Sequence, residues 1–289
     1  MRLRKLRDAR SAWQPDFIER SRMFAAYAPL AEALSCRNDW PTVDELTELA
    51  AAEAKRRGAW APTFVSQPPK KRGVRDRGSL YDVRIVEHGE VPTRDRHWHD
   101  VMNALAWMAF PRCKRALHER QHALVCAGVG ESFEALPGAR SKEHDAIAML
   151  DEGGVLILCA EGAREDIDDS LKVSDRSRLE AHLRAGRAWL FVLGHGILES
   201  SVLAGSLAPV HAFAEVFSTP NVPRELGAAR EMVDERAAEA LAARRVPKLR
   251  EKNAAEPPPR GLLLDEELFV CLPAKSPRLL VQNRNNVLA

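Results

Sequence analysis

The chain has 289 residues, with 43 basic and 41 acidic side chains and a formal net charge of +2. Hydrophobic residues make up 45% and charged residues 29% of it, a composition that excludes collagen-like, disulfide-scaffold and wholly disordered chains. The balanced charge argues against an obligate nucleic-acid-binding protein, since such proteins carry a marked basic excess. A basic loop at 68–78 keeps a polyanion contact open beside the simpler interpretation of a solvated loop.

The cysteines and the apolar segments bear on location. The five cysteines are odd in number and none form a Cys-x-x-Cys pair, which is typical of buried thiols in a reducing compartment. No apolar segment follows the basic N-terminus as in a secretory signal. The longest apolar stretch, at 189–198, is too short to span a bilayer. We therefore expect a cytoplasmic protein without a membrane association.

The N-terminal half predicts four helices and two short strands. The helices are expected at 15–35, 42–58, 98–110 and 112–126, where apolar residues recur at helical spacing. The second begins at a capping box formed by Thr42 and Glu45. The third stops before Pro111, because the residue before a proline disfavours the helical conformation. Strands are expected at 61–65 and at 80–86, the second because its apolar residues alternate.

In the C-terminal half the strongest strand pattern is a predicted hairpin. Its strands cover 144–150 and 154–158, and Asp151-Glu152-Gly153 forms the turn between them. The remaining expectations are a helix at 175–186, a helix or buried strand at 188–203, a charged helix at 223–245 and a strand at 267–272.

These elements predict one mainly helical α+β domain with a small antiparallel sheet or hairpin. The expected segments are an N-terminal helical segment at 1–67, a core at 79–220, a charged helix at 221–253 and an extended proline-rich tail at 254–289. The loop at 68–78 is the only plausible division between domains.

One short pattern matches a zinc-peptidase signature. His118 and His122 would lie one turn apart on a helix and share a Zn²⁺ ion, while Glu119 polarises a bound water and Glu143 is a conceivable third ligand. Arg120, however, occupies a position that is normally uncharged, and the run before it is basic. An exposed helix is therefore the favoured interpretation, and a zinc peptidase is a weak alternative.

A denser polar group lies just upstream, on the predicted helix at 98–110. His99 and Asn103 are four residues apart and share a helix face. Asp100 lies in the first turn, where the unpaired backbone N–H groups favour a carboxylate. Either these side chains cap the helix and bond to the backbone, or they form a polar pocket on an apolar helix.

The run from Trp98 to Lys114 resembles the signature of a bacterial family catalogued as domain of unknown function 3025, Trp-His-Asp-x-x-Asn-Ala-Leu-x-Trp-x-x-Phe-Pro-x-x-Lys. The matching residues are Trp98, His99, Asp100, Asn103, Ala104, Leu105, Trp107, Phe110, Pro111 and Lys114. Segments at 145–154 and 194–199 also resemble the family pattern, although His144 stands where that pattern has arginine. The resemblance implies no particular reaction, and the zinc-peptidase pattern is not part of it.

These segments contain the residues that we select as a candidate site. If 188–203 is helical, His195 and Glu199 lie one turn apart on one face, and Asp151 and Glu152 of the predicted turn belong to the same polar set. The candidate catalytic residues are His99, Asp100, Asn103, Asp145, His195 and Glu199. The candidate metal ligands are His99, Asp100, His195 and Glu199.

Two imidazoles with carboxylates suit Zn²⁺, Mn²⁺ or Fe²⁺, and such an ion lowers the pKa of a bound water for hydrolysis. The first hypothesis is therefore a metal-dependent or acid–base hydrolase. The alternative is a non-catalytic module that binds a ligand or a partner, in which the same polar groups are bonded for structural reasons alone.

Overall fold

Helices form most of the chain that is described by the computed structural model, which covers residues 12–67, 80–128, 141–247 and 261–272. The basic loop at 68–78 and most of the predicted tail at 254–289 lie outside the described residues. The helices are α1 (Leu30–Ser35), α2 (Val43–Arg57), α3 (Tyr81–His88), α4 (Trp98–Ala109), α5 (Pro111–Gly128), α6 (Lys142–Gly153), α7 (Arg164–Lys172), α8 (Ser177–Arg184), α9 (His195–Ala204), α10 (Leu226–Ala242) and α11 (Glu266–Val270). The α+β, mainly helical class predicted from the sequence is confirmed.

Two small sheets complete the fold. The strands are β1 (Thr63–Ser66), β2 (Glu90–Thr93), β3 (Gly154–Ala160), β4 (Ala188–Val192), β5 (Val210–Thr219) and β6 (Gly261–Leu264). Strands β1 and β2 form a parallel pair, and the larger sheet has the order β4-β3-β5-β6. Its central pair, β3 and β5, is parallel, whereas both outer strands are antiparallel to their neighbours. The larger sheet is therefore mixed, not the antiparallel sheet or hairpin that was expected.

One hydrophobic core contains side chains from all four described ranges. Strand β4 is buried along its whole length, and so are nearly all residues of β3 and of helix α4. A helix that is apolar on every side belongs inside a domain. Helix α4 is thus a central element, and its polar side chains lie inside the protein.

Local start and stop signals place several elements as predicted. The capping box is present: Thr42 Oγ1 accepts a hydrogen bond from Glu45 N at 3.2 Å, and Thr42 N donates to Glu45 Oε2 at 2.8 Å. Gly58 ends α2 in the left-handed conformation with φ 60°. Helix α4 ends at Ala109, and Pro111 begins α5, where its missing N–H costs nothing.

The predicted hairpin is wrong in its first strand. Residues 142–153 form helix α6, whose start is capped by Ser141 Oγ, the acceptor of a 3.1 Å hydrogen bond from His144 N. Only the second strand, β3, is correct. The segment at 80–86 is likewise the helix α3 and not a strand, and it ends at Gly89 with φ 70°. Runs this short fit either periodicity, and the caps decide between them.

Three further expectations need correction. The segment at 15–35 consists of two 3₁₀ turns, Pro15–Glu19 and Arg22–Tyr27, followed by α1. The segment at 188–203 contains both β4 and α9, and the chain changes direction at Gly194. The strand expected at 267–272 is helix α11, which is capped by Asp265, and the strand β6 precedes it.

Replacing Asp234 with alanine is expected to destabilise the fold by about 3–5 kcal/mol, the usual cost of leaving a buried charge without its partner. The Asp234 carboxylate in α10 is fully buried, contacts Arg57 Nη2 at 3.1 Å and accepts a hydrogen bond from Cys113 N at 2.8 Å. Urea denaturation measures the change. The control is Glu239→Ala on the same helix, where a half-exposed ion pair to Arg236 contributes little. A loss below about 1 kcal/mol would show that the buried pair is not needed.

Candidate metal centre

Two histidines from different helices point the same ring atom at each other. His99 lies in the first turn of α4 and His195 begins α9, and their Nε2 atoms are 3.1 Å apart. Glu152 completes the group: Oε2 lies 3.5 Å from His195 Nε2, and Oε1 lies 3.8 Å from His99 Nε2. Ligand atoms about 2.1 Å from one ion are roughly 3.0–3.4 Å from one another. The three side chains therefore have nearly the spacing of a metal site, and one ligand atom from each lies within 4.8 Å of the others.

Glycines bring Glu152 to this group. The Glu152 carbonyl oxygen lies so close to Gly194 and Gly196 that a Cβ atom would stand 2.7 Å and 2.9 Å from it. Gly194 N also donates a hydrogen bond to the carbonyl oxygen of Gly154 at 2.9 Å. Only glycine permits this approach of α9 to the end of α6, and His195 sits between the two glycines. The glycines on both sides of His195 therefore fix its distance to Glu152.

The orientation of His99 is set by Glu199. Its Nδ1 atom lies 3.0 Å from Glu199 Oε2, and this hydrogen bond raises the pKa of His99. A carboxylate acceptor holds the neutral ring with its proton on Nδ1, so the lone pair of Nε2 points toward His195. Carboxylate–histidine pairs of this kind orient the ligands of metal sites. Hydrogen bonding to His195 lowers the pKa of Glu152, which keeps that side chain ionised.

Beneath the histidines lies a buried network around Lys114. Its Nζ atom is fully buried, forms an ion pair with Asp151 Oδ1 and donates to Asn103 Oδ1 at 2.9 Å. Asn103 Nδ2 in turn donates to the Tyr81 hydroxyl at 2.8 Å. Burial by itself raises the pKa of Asp151, but Lys114 lowers it well below its ordinary value. Asn103 also lines the cavity, bonds to Lys114 and is not in the three-residue group.

Two other predicted site residues, Asp100 and Asp145, are not in the three-residue group. Asp100 binds Arg94: Oδ2 accepts hydrogen bonds from Arg94 N at 2.6 Å and Nε at 2.8 Å, and Oδ1 accepts one from Nη2 at 2.9 Å. It lines the same cavity but is not in the three-residue group. Asp145 is exposed on α6 and is not among the lining residues. The structure therefore connects His99 with both His195 and Glu199. Asp100 lines the same cavity but bonds to Arg94, and Asp145 is not among the lining residues.

The charges around the histidines are unevenly compensated. Asp100 and Asp151 each contact a permanent cation, Arg94 and Lys114 respectively. Glu152 has no such cation among the described residues, and its ion-pair contacts are His99 and His195. Glu152 therefore lacks the permanent positive charge that each of the other two carboxylates contacts. This imbalance favours a cation at the point where the three side chains meet.

The site opens into a cavity of about 620 Å³, within the range of pockets that hold small molecules. His99, Glu152 and His195 line it, and so do Asp82, His118 and Gln121.

The zinc-peptidase pattern does not form its site. His118 is buried and bonds to Asp82 at 2.9 Å, whereas His122 bonds to Glu87 at 3.1 Å. Glu119 is half-exposed and pairs with Arg115, and the conceivable third ligand, Glu143, accepts a hydrogen bond from Arg120. The exposed-helix interpretation is also wrong on one face, since Lys114, His118 and Gln121 are buried.

Glu152 was included in the polar set but not among the candidate ligands, because it was assigned to a turn, whereas it lies on helix α6. Three other contributors were given no role in the site from the sequence: Lys114, Asp82 and His118 as a buried cavity residue. Lys114 closes the family signature, but it lies on α5 and Asn103 on α4, so no spacing within one helix predicts their contact.

Comparison with known proteins identifies the family. The model of the family described as Protein of unknown function (DUF3025) matches residues 63–259, more than half of the chain, and the chain belongs to that family. No curated protein and no solved structure matches it. Among the described residues, no helix has the length and apolar character needed to cross a membrane.

We expect Lys114→Met to destabilise the protein by about 3–5 kcal/mol, because it leaves Asp151 buried without its cation. Adding Asp151→Asn should recover a large part of that loss, since the unpaired charge is then gone. Thermal and urea denaturation measure both variants. Arg115→Met, on the same helix and in a half-exposed ion pair, is the control and should change stability little. Equal losses in the single and double variants would instead point to packing.

Proposed function

We propose that this member of the DUF3025 family binds one divalent metal ion through His99, His195 and Glu152 and hydrolyses a small polar substrate in the adjoining cavity. The observation that carries this proposal is the meeting of two Nε2 atoms, 3.1 Å apart, with the Glu152 carboxylate. The two rings can share only one hydrogen bond through these atoms, in which one Nε2 carries the proton and the other accepts it. Both gain a strong bond when a cation lies between them.

The kind of ion follows from the ligands. Two imidazoles and one carboxylate suit Zn²⁺, Mn²⁺ and Fe²⁺, and they do not suit Ca²⁺ or Mg²⁺, which prefer oxygen ligands. Three protein ligands also leave a position for water and substrate, as in catalytic metal sites. Such an ion lowers the pKa of bound water and thereby supplies a nucleophile at neutral pH.

The residues around the three ligands have supporting roles in this proposal. Glu199 holds His99 with Nε2 toward the ion, and Asp151 lies 3.9 Å from His195 Nδ1 on the far side of that ring. Lys114 offsets the charge of Asp151, so that the local excess of negative charge falls on Glu152. The cavity beside the group supplies the space in which a substrate would meet the activated water.

We expect purified protein reconstituted with Zn²⁺, Mn²⁺ or Fe²⁺ to retain one equivalent of metal after dialysis. His99→Ala, His195→Ala and Glu152→Ala should each abolish retention, because two ligands hold the ion weakly. Glu199→Gln should weaken binding by about 10- to 100-fold, the usual effect of losing a carboxylate behind a ligand. Elemental analysis and competition with a chelator measure these changes.

The control variant is His122→Ala, which removes a histidine bonded to a different carboxylate, Glu87, outside the cavity. It should retain the metal fully. Wild-type protein that retains no metal under any of these conditions would end the metal proposal.

Hydrolysis is tested with three chromogenic probes: para-nitrophenyl acetate, para-nitrophenyl phosphate and bis(para-nitrophenyl) phosphate. The metal-loaded wild type should release nitrophenol from at least one probe faster than the metal-free protein and the Glu152→Ala variant do. Metal binding without turnover of any probe would contradict the hydrolase and favour the alternative, a non-catalytic ligand-binding module.

A further inference from the structure

A second histidine–carboxylate pair faces the same cavity. His118 of α5 is only 2% exposed, and its Nδ1 atom lies 2.9 Å from Asp82 Oδ1 of α3. The His118 ring stacks on Trp107 with centroids 5.2 Å apart and meets the edge of Tyr81 at 5.6 Å. The ring is therefore fixed in both position and orientation.

The other ring nitrogen of His118 has no hydrogen-bond partner among the described residues, although it is buried. The carboxylate oxygen Oδ2 of Asp151 lies 3.9 Å from it, beyond hydrogen-bond distance. Leaving a buried polar atom unsatisfied costs about 1–3 kcal/mol, so this atom calls for an explanation. His118 and Asp151 both line the cavity, so a group bound there can supply the partner that Nε2 lacks.

We propose that His118 is the general base of the hydrolysis suggested above and that Asp82 is its positioning residue. This inference rests on the proposed function. Asp82 accepts the Nδ1 proton, which leaves the lone pair on Nε2. Nε2 takes a proton from the water molecule as the water oxygen bonds to the electrophilic atom of the substrate. His118 then returns that proton to the leaving oxygen as the old bond breaks, so that water and substrate give two products and the base is regenerated.

Two carboxylates flank the His118 ring. Asp82 Oδ1 lies 2.9 Å from Nδ1, and Asp151 Oδ2 lies 3.9 Å from Nε2. Asp151 Oδ1 is also 3.9 Å from His195 Nδ1, so one carboxylate lies between the base and a proposed metal ligand. The base is thus within the same polar unit as the proposed metal centre.

The chain contains its own control. His122 and Glu87 form a second pair between the same two helices, α5 and α3, with Nε2 and Oε1 3.1 Å apart. His122 lies one turn beyond His118 and does not line the cavity. Both variants therefore remove a helix-bridging histidine, and only one of them removes a group that a substrate would meet.

The experiment compares metal-loaded wild type, His118→Ala, His118→Gln and His122→Ala on whichever chromogenic probe the wild type hydrolyses. Both His118 variants should keep one equivalent of metal and lose about 100- to 10,000-fold in kcat, the contribution of a positioned acid–base group. Added imidazole should restore at least a tenth of the lost activity in His118→Ala, where it fills the vacated space, and little in His118→Gln. His122→Ala should stay within threefold of the wild type.

Asp82→Asn tests the positioning role. The amide leaves His118 in place but cannot favour the Nδ1 proton in the same way, so kcat should fall with KM nearly unchanged. Circular dichroism and metal content identify any variant that has lost its fold. If His118→Ala does not fold, His118→Gln replaces it in the activity comparison.

Two results would contradict the assignment of His118 as the general base. One is a folded His118 variant that keeps its activity within threefold, and the other is a loss of metal together with activity, which would make His118 part of the metal site. Failure of the proposed function has a different signature. The metal-free wild type could be as active as the loaded protein while His118→Ala is inactive. That result would reject the metal-dependent mechanism and keep His118 as the general base. If the wild type hydrolyses none of the probes, both are withdrawn.

Discussion

The buried ion pair between Lys114 and Asp151 is the interaction on which the site depends. It joins the first half of α5 to the last turn of α6, and neither group has much access to water. Removing two charges from water is costly, and an ion pair alone seldom compensates for it. Here the Asn103 amide satisfies Lys114 further, and His118 and His195 flank Asp151 at 3.9 Å. The pair therefore fixes the position of Asp151 and of Glu152, the next residue in the chain.

A second constraint acts on the same turn from the opposite side. The backbone of Glu152 and Gly154 meets that of Gly194 so closely that side chains on the glycines would collide with it. The two contacts, one ionic and one between backbones, hold the end of α6 between α5 and the start of α9. Their combined effect is that three side chains from separate helices place one ligand atom each within 4.8 Å of one another. A site assembled in this way is preorganised, since packing and hydrogen bonds fix it without a ligand.

The sequence predicted the parts of the fold that depend on strong local signals. The central helix α4, the capping box at Thr42 and the mainly helical class were correct, because caps and long apolar runs act locally. The hairpin failed because Asp151-Glu152-Gly153 has the composition of a turn, while it is the last turn of a helix whose start is capped by Ser141. That error left Glu152 outside the set of candidate ligands, although it was in the polar set. His99 contacts both His195 and Glu199, two of the residues selected with it, yet the contact between α4 and α9 that joins them is tertiary and has no local pattern.

The short zinc-peptidase pattern illustrates the same limit from the other direction. Spacing alone puts His118 and His122 one turn apart, but the partners of each histidine decide its chemistry, and these come from α3. Glu87 bonds to His122, which does not line the cavity, while Asp82 bonds to His118, which does. His99 and His118 share one arrangement, in which a carboxylate lies on Nδ1. They differ in what Nε2 faces. The Nε2 atom of His99 faces a second imidazole and a carboxylate, which together favour a cation. The Nε2 atom of His118 has no hydrogen-bond partner among the described residues, and its neighbour is Asp151 at 3.9 Å.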